Sequence, residues 1–473
     1  MYRTFLRTKI SVVLIIICSF VAENQYFIPM ERDAIRLLYE WKTRKNRKPL
    51  IIRGARQVGK TWLMMEFARK AYNKWLYVNF EDEEMLKHVF EPDFDIPRIL
   101  NALSLRFHTD INKDTLLIFD EIQAAPRGVT SLKYFYEKAP EYHIITAGSL
   151  LGISMHSGDS FPVGKVDFLN LMPMSFIEFL RAVGQERLAK LILELKWDSI
   201  TYTKDRIVQL LRTYYYIGGM PEAVKAYCNG LGYEEVRRIQ TNILMTYDND
   251  FSKHAPTNEV PRIRMVWHSI TNQLAKENRK FIYGVLRQGA RAKDFEVAVE
   301  WLQDAGLVHK VNRTKSGEMP LSAFEDFGTF KLFMLDVGLM CAMNKIPSDA
   351  ILLGNDVFSS YRGAMTEQYV CQQLIGEVDS LFYWSADNSR GEIDFLIQKG
   401  DNIIPVEVKA EENLKAKSLS AFVARYPTLH AIRLSMSDYR EQGWMTNIPL
   451  YATCLLSSDA WKQKQQKNHN STY

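Results

Sequence analysis

The fold is decided by an eight-residue stretch at positions 54–61, which reads Gly54-Ala55-Arg56-Gln57-Val58-Gly59-Lys60-Thr61. It matches the phosphate-loop pattern of two glycines with four residues between them, followed directly by Lys and Thr. An apolar strand over Leu50 to Ile52 precedes it, and a helix is predicted to begin at about Lys60. The glycines let the backbone turn its amides inward, and the helix directs its unpaired amides and positive dipole end at the same point. The stretch therefore predicts a bound nucleotide.

All eight residues are expected to contact ATP, and two of them have specific roles. Lys60 is expected to reach the β- and γ-phosphates, and the hydroxyl of Thr61 to hold Mg²⁺. Downstream, the apolar run from Thr115 to Phe119 ends in Asp120 and Glu121. Asp120 is predicted to orient Mg²⁺ through water, and Glu121 to act as the general base that polarises the attacking water. The alternative for this acidic pair is a solvated loop, and its position after a matching phosphate loop favours the functional interpretation.

Four further residues near the predicted nucleotide site have open alternatives. A strand over His143 to Ala147 leads into Ser149, and Ser149 or Thr146 is predicted to sense the γ-phosphate or, alternatively, to cap a helix. Lys165 and Arg181 are either positive fingers toward a neighbouring site or surface residues. Alternation of strands with helices predicts a parallel α/β sheet. The expected strands are 50–52, 75–80, 115–119, 143–147 and 166–171.

The length of 473 residues indicates about three domains, and 47% hydrophobic with 24% charged residues is a globular composition. The predicted divisions are a nucleotide-binding domain with a helical lid at 30–210, a helical, winged-helix-like region at 211–325, an α/β domain at 326–457 and a disordered tail at 458–473.

The net charge of +5 is weak evidence for nucleic-acid binding, because any basic surface must then be local. The five cysteines have no metal or redox spacing, which fits a reducing cytoplasm.

Residues 1–29 conflict with a cytoplasmic location, because basic residues precede an apolar run from Ile10 to Ala22. The run is shorter than the roughly 20 residues that a comfortable membrane span needs. Three interpretations stay open: an export or anchor segment that makes the protein membrane-associated, a buried or peripheral helix, or translation upstream of a true start at Met30. The last is favoured, because an ATPase needs cytoplasmic nucleotide, and a membrane partner is not expected.

The middle of the chain is compatible with a winged helix from Pro261 to Val311. Its second helix is expected to begin near Ala292. Arg287, Arg291 and Lys293 lie nearby and are predicted either to touch the phosphates of DNA or to have no role beyond packing.

A second group of chemically active residues lies near the carboxyl terminus. Two apolar segments, Glu392 to Ile397 and Ile403 to Lys409, are predicted to form a hairpin. Glu407 and Lys409 are two residues apart, so they share a sheet face, and the hairpin brings Asp394 beside them. Asp394 and Glu407 are candidate metal ligands, Lys409 would steady a nucleophilic water or phosphate, and Glu367 on a preceding helix is a candidate further acid. The alternative is a face that only binds, or an ordinary solvated face.

Taken together, these motifs resemble those of the prokaryotic AAA-type ATPases that carry a carboxyl-terminal domain of unknown function with a restriction-endonuclease-like fold. The resemblance spans about Met30 to Ala452 and does not include residues 1–29. It implies an AAA-type phosphate-loop ATPase core, a winged-helix-like middle and a PD-(D/E)xK nuclease-like end, with DNA or RNA and a homo-oligomer as candidate partners. A nucleotide-gated regulatory or scaffold protein with an inactive nuclease-like domain is the alternative. The segments that carry the resemblance are Gly54 to Thr61, Leu117 to Gln123, Ala147 to Leu151, Ser160 to Gly164, Gly218 to Glu222, Phe330 to Gly338, Glu392 to Phe395 and Pro405 to Lys409.

Overall fold

A computed structural model describes residues 30–148, 161–276, 279–353, 359–387, 391–412 and 416–457. The predictions for residues 1–29, for Ser149 and for the tail from 458 fall outside these ranges. Within them, no helix combines the length and the apolar character that crossing a membrane requires.

The first sheet has five parallel strands in the spatial order β2-β3-β4-β1-β5. Neighbouring residues of one strand point to opposite faces, and here both faces are covered: Leu117 packs into one apolar cluster and Ile118 into the other. This two-sided burial explains why the strands read as unbroken apolar runs in the sequence. The predicted strands are confirmed, with bounds β1 Leu50–Arg53, β2 Trp75–Asn79, β3 Leu116–Asp120, β4 His143–Ala147 and β5 Asp167–Asn170.

Among the described residues, four helices flank this first sheet, and their bounds are α1 Ile35–Thr43, α2 Lys60–Ala71, α3 Ile96–Phe107 and α4 Gly128–Lys138. Helix α2 begins directly after the 54–61 loop, as predicted, with Gly59 as its amino-terminal cap. The sheet with its flanking helices fits the fold of a phosphate-loop nucleoside triphosphatase.

The segment expected to form a helical lid up to 209 is divided into several helices. Gly184 and Leu195 have φ angles of 73° and 56°, left-handed values that end a right-handed helix on either side of α6. Further helices continue through the middle of the chain. The bounds are α5 Phe176–Ala182, α6 Glu186–Leu193, α7 Trp197–Thr201, α8 Lys204–Ile217, α9 Pro221–Cys228, α10 Gly232–His254, α11 Val260–Leu274 and α12 Glu296–Asp304.

A second, mixed sheet contains eight strands in the order β12-β13-β11-β10-β9-β8-β6-β7. Its strands are β6 Val308–Thr314, β7 Glu325–Met334, β8 Ser380–Ser385, β9 Glu392–Lys399, β10 Asn402–Val408, β11 Ala431–Ser435, β12 Arg440–Glu441 and β13 Met445–Pro449. The accompanying helices are α13 Val337–Met343, α14 Ser348–Leu352, α15 Ser359–Leu374 and α16 Lys417–Arg425. The expected hairpin is present, because β9 and β10 pair antiparallel with Val406 opposite Phe395.

The expected winged helix stays a prediction. Two helices, α11 and α12, do precede the antiparallel pair β6–β7, which is the order of elements in that motif. However, β6 also pairs in parallel with β8, so this pair of strands belongs to the second sheet. The sheet therefore includes residues before 326, the position at which the last domain is expected to begin.

Candidate functional site

The loop at 54–61 owes its shape to three residues with left-handed or glycine-only backbone angles. Gly54, Gln57 and Gly59 have φ angles of 147°, 66° and 96°. A Cβ atom on Gly54 would lie 2.3 Å from the carbonyl oxygen of Leu171, so only glycine fits against the segment that follows β5. The loop is thus fixed by its own backbone and by the neighbouring strand end.

Lys60 lies buried beneath the loop. Its Nζ donates hydrogen bonds to the carbonyl oxygens of Gly54 and Ala55, both at 2.9 Å. Burial lowers the pKa of Lys60 to about 8, and the nearby carboxylates of Glu121 and Asp120 oppose this shift. The side chain is therefore held in place by backbone carbonyl oxygens of the loop itself.

Thr61 and Asp120 come together as the sequence predicts. The Thr61 hydroxyl donates to Asp120 Oδ2 at 2.7 Å, because Asp120 ends β3 beside the start of α2. Asp120 Oδ2 also accepts a hydrogen bond of 2.9 Å from the hydroxyl of Tyr77 on β2. Burial raises the pKa of Asp120, and the bonds from Thr61 and Tyr77 counteract this effect.

Glu121 follows with a φ angle of 48°, a left-handed value that is uncommon for a non-glycine residue. Its amide donates to Asp120 Oδ1 at 3.2 Å, and its carboxylate accepts a hydrogen bond from the side-chain amide of Gln123. Such conformations persist where surrounding contacts enforce them and cluster at functional sites.

Contacts from outside the loop also hold it in place, and no sequence motif predicts them. Arg32, in the turn before α1, is buried and donates from Nη1 to the carbonyl oxygen of Val58 at 2.8 Å and from Nε to Glu178 at 3.1 Å. Glu178 forms a capping box with Ser175 at the start of α5. A basic residue ahead of an amphipathic helix is too common a pattern to identify this role.

The helical middle of the chain also touches the loop. Arg56 Nη1 donates to Asp250 Oδ1 on α10 at 2.6 Å, and the hydroxyl of Tyr247 donates to the Arg56 carbonyl oxygen at 2.8 Å. Gly306, between α12 and β6, lies so close that an added Cβ would be 3.1 Å from the amide nitrogen of Ala55. The loop is consequently in contact with elements that lead into the second sheet.

The remaining candidates near this site have other contacts. The buried hydroxyl of Thr146 donates to the carbonyl oxygen of Phe119 at 2.7 Å. Lys165 pairs with Glu137 at 3.0 Å, and Arg181 pairs with Asp33 at 2.5 Å. The ion pairs favour a structural role for Lys165 and Arg181, whereas the Thr146 bond links β4 to β3 and is not a helix cap.

The carboxyl-terminal candidates do meet on one face of the second sheet. Asp394 Oδ2 accepts the amide of Val408 at 2.7 Å, and Lys409 Nζ lies 2.7 Å from Glu407 Oε1. Burial raises the pKa of Glu407, which the adjacent Lys409 counteracts. Glu367 lies over this face from α15 and is buried.

Basic side chains that the sequence did not point to neutralise Glu367. Arg279 pairs with its Oε1, and Lys331 Nζ is 3.5 Å from its Oε2 and 2.5 Å from Glu392. Across the described ranges, no three His, Cys, Asp or Glu side chains are grouped so as to hold a metal ion. The face is thus a network of ion pairs in this structure.

Comparisons with known proteins match three parts of the chain to family models. Residues 46–180 match an AAA domain, residues 208–350 match a domain of unknown function, DUF8612, and residues 362–452 match another, DUF4143. No curated protein matches the chain. Residues 46–180, which contain the five-stranded parallel sheet, are therefore similar to AAA-type phosphate-loop ATPases in both sequence and fold.

Among solved structures, the Walker-type ATPase PABY2304 of Pyrococcus abyssi is 15% identical with a TM-score of 0.43, over 67% of this chain and 96% of that one. The Aeropyrum pernix ORC1 protein in complex with DNA is 12% identical with a TM-score of 0.29, over 69% and 96%. The Drosophila ORC bound to DNA is 13% identical with a TM-score of 0.25, over 66% and 94%.

Proposed function

We propose that this protein is an Mg²⁺-dependent ATPase of the cytoplasm, with ATP held by residues 54–61. The observation that carries the proposal is the 2.7 Å contact between the Thr61 hydroxyl and Asp120 Oδ2 beside the glycine loop. Neutral hydroxyl and carboxylate oxygens are the ligands that Mg²⁺ prefers, so these two side chains fit that ion. When bound, Mg²⁺ supplies positive charge that offsets charge developing on the phosphates.

The chain's own residues divide the remaining work. The loop amides and the amino terminus of α2 bind phosphate oxygens. The Lys60 ammonium binds phosphate in place of the two carbonyl oxygens that it contacts in this structure. Glu121 accepts the proton of the attacking water. The match of 46–180 to an AAA domain supports the same assignment.

The test is steady-state release of phosphate from ATP by the full chain. We expect Lys60→Ala and Glu121→Gln each to lower the rate at least about 100-fold, as loss of a positioned charge or general base does. Lys113→Ala, at an exposed position, is the matched control and should retain the rate. Hydrolysis that survives Lys60→Ala would refute the proposal.

We further propose that the ATPase controls the second sheet as a nucleic-acid-facing, nuclease-like module. The meeting of Asp394, Glu407 and Lys409 on one face supports this assignment, since two carboxylates and a lysine on adjacent strands are the elements of a metal-dependent nuclease site. The ion pairs from Arg279 and Lys331 to Glu367 favour the alternative, a module that binds without cleaving.

Cleavage and binding assays separate these two possibilities. Labelled DNA and RNA are incubated with the protein and Mg²⁺ or Mn²⁺, with and without ATP, and ATP hydrolysis is measured in parallel. Cleavage that Asp394→Ala and Lys409→Ala abolish would establish a nuclease. Nucleic-acid binding or stimulated ATP hydrolysis without cleavage would establish the regulatory alternative.

A further inference from the structure

We propose that Arg279 is an internal counter-ion that competes with a divalent cation for Glu367 and Asp394. This inference rests on the proposed nuclease-like face and concerns its regulation. Arg279 lies between α11 and β6, and its Nη1 pairs with Glu367 Oε1 while lying 3.9 Å from Asp394 Oδ1. The guanidinium thus lies between two of the carboxylates that a metal would use.

The room for this side chain comes from Gly363 on α15. A Cβ atom at Gly363 would lie 2.6 Å from Arg279 Nη2, so a larger residue would push the guanidinium away. Arg279 itself has a φ angle of 49°, in the left-handed region. For a residue other than glycine that conformation is costly, by about 1 kcal/mol or more. The ion pair with Glu367 offsets part of this cost.

The charges on this face explain why the arginine and a metal exclude each other. Four carboxylates and four cations form one connected group, so the face is balanced while Arg279 is inserted. A divalent cation added beside Arg279 would leave an excess of two positive charges on a largely buried surface, whereas exchange for Arg279 leaves only one. The acidic members are Glu367, Glu392, Asp394 and Glu407, and the basic members are Arg279, Lys331, Lys409 and Arg433.

Unsatisfied oxygens show that the face retains capacity for a cation. Within the described residues, Glu407 Oε2 is buried and accepts no hydrogen bond, whereas buried Glu367 Oε2 has only the ion pair of 3.5 Å with Lys331 Nζ. Buried carboxylate oxygens ordinarily have a donor or a metal. Carboxylate oxygens are suitable ligands for Mg²⁺ and Mn²⁺. The side chains are thus of the right kind to bind such an ion, although in this structure, with Arg279 inserted, they are not grouped as a metal site.

The test measures Mn²⁺ binding to the full chain without nucleotide, by the loss of the electron paramagnetic resonance signal of free Mn²⁺. We expect Arg279→Gln to bind Mn²⁺ at least about tenfold more tightly than the unchanged protein, and Asp394→Asn in the same chain to remove the gain. Arg287→Gln, an exposed arginine on the same connection, should not alter binding.

A second variant keeps every charge and is compatible with a helix. Gly363→Ala should also tighten Mn²⁺ binding, because its methyl group displaces the guanidinium. Unchanged Mn²⁺ affinity in Gly363→Ala and in folded Arg279→Gln would overturn the proposal. The measurement involves neither ATP hydrolysis nor cleavage, so its failure is distinguishable from failure of the proposed function.

Discussion

At the scale of single residues, the charge of Lys60 determines how nucleotide binding should depend on pH. Its pKa of about 8 in the free protein lies below the ordinary value of 10.5. Above pH 8 the free side chain is mostly neutral, whereas bound phosphate favours the ammonium, so binding must take up a proton. We expect nucleotide affinity to fall as pH rises through about 8. Calorimetry at about pH 9 in two buffers of different ionisation enthalpy measures the uptake.

The matched variant for this measurement is Lys60→Arg, because arginine stays protonated throughout the range. Its binding enthalpy should depend much less on the buffer than that of the unchanged protein, because arginine takes up no proton on binding. A wild-type enthalpy that is also independent of the buffer would contradict the prediction and would mean that Lys60 is already charged in the free site.

Tyr77 is a positioning residue for Asp120, and its role can be tested separately from hydrolysis chemistry. Removing its hydroxyl with Tyr77→Phe leaves Asp120 Oδ2 with the bond from Thr61 only. We expect the Mg²⁺ concentration for half-maximal ATP hydrolysis to rise about fivefold, the equivalent of about 1 kcal/mol for one hydrogen bond. The rate at saturating Mg²⁺ should change little. Tyr202→Phe, at a fully exposed tyrosine, is the control, and a lower saturating rate with unchanged Mg²⁺ dependence would contradict this role.

The sequence predicts those residues of this site that belong to short local motifs. It does not predict single residues that the fold brings to the site from distant parts of the chain. Residues 54–61 and the pair Asp120–Glu121 follow fixed local patterns, so their roles can be proposed without a structure. Tyr77 reaches Asp120 only because β2 lies next to β3, and strand order is a long-range property. Arg32 and Asp250 contact the loop for similar reasons, through turns and helices that carry no motif.

At the scale of elements, the unit β1, loop and α2 depends on the absence of a side chain at Gly54. We expect Gly54→Ala to lower the free energy of unfolding by at least about 2 kcal/mol and to abolish nucleotide binding, because the methyl group would overlap the Leu171 carbonyl and the φ angle of 147° is unfavourable for alanine. Urea unfolding and nucleotide titration measure the two effects. Gly284→Ala, where an added Cβ meets no atom within 4 Å, should be tolerated. Equal stability of the two variants would contradict this account.

Helices and strands were predicted from the sequence where their own residues determine them. The two-sided burial of the first sheet gives recognisable apolar runs, and all five of its strands were found. The lid segment from Phe176 to about Gln209 is helical as expected, but the sequence does not predict its interruptions at Gly184 and Leu195. No local sequence pattern indicates that a leucine adopts a left-handed backbone conformation. The pair β6–β7 could not be assigned to the second sheet in advance, since its contact with β8 spans a long stretch of chain.

At the scale of the whole molecule, helix α10 connects the two chemically active regions. It contacts the loop through Asp250 and Tyr247, and it packs on α11 through Trp267, whose ring centroid lies 6.3 Å from that of Tyr247. Arg279 follows shortly after the end of α11. Packed helices of this kind can transmit a change at one site to another only if they have two arrangements, and this property can be measured.

Hydrogen exchange followed by mass spectrometry tests whether α10 responds to nucleotide. We expect a non-hydrolysable ATP analogue to slow exchange in the loop and also in α10 and around Gly306, because bound phosphate would stiffen the backbone that these elements contact. Helix α3, whose buried side chains belong to the cluster on the opposite face of the first sheet, is the internal control and should not change.

Asp250→Asn weakens the pairing with Arg56 without altering side-chain size, so protection should persist in the loop and decrease in α10. Equal protection of α10 in both proteins would show that this ion pair does not transmit nucleotide binding, and protection confined to the loop would show that the helical region does not respond at all.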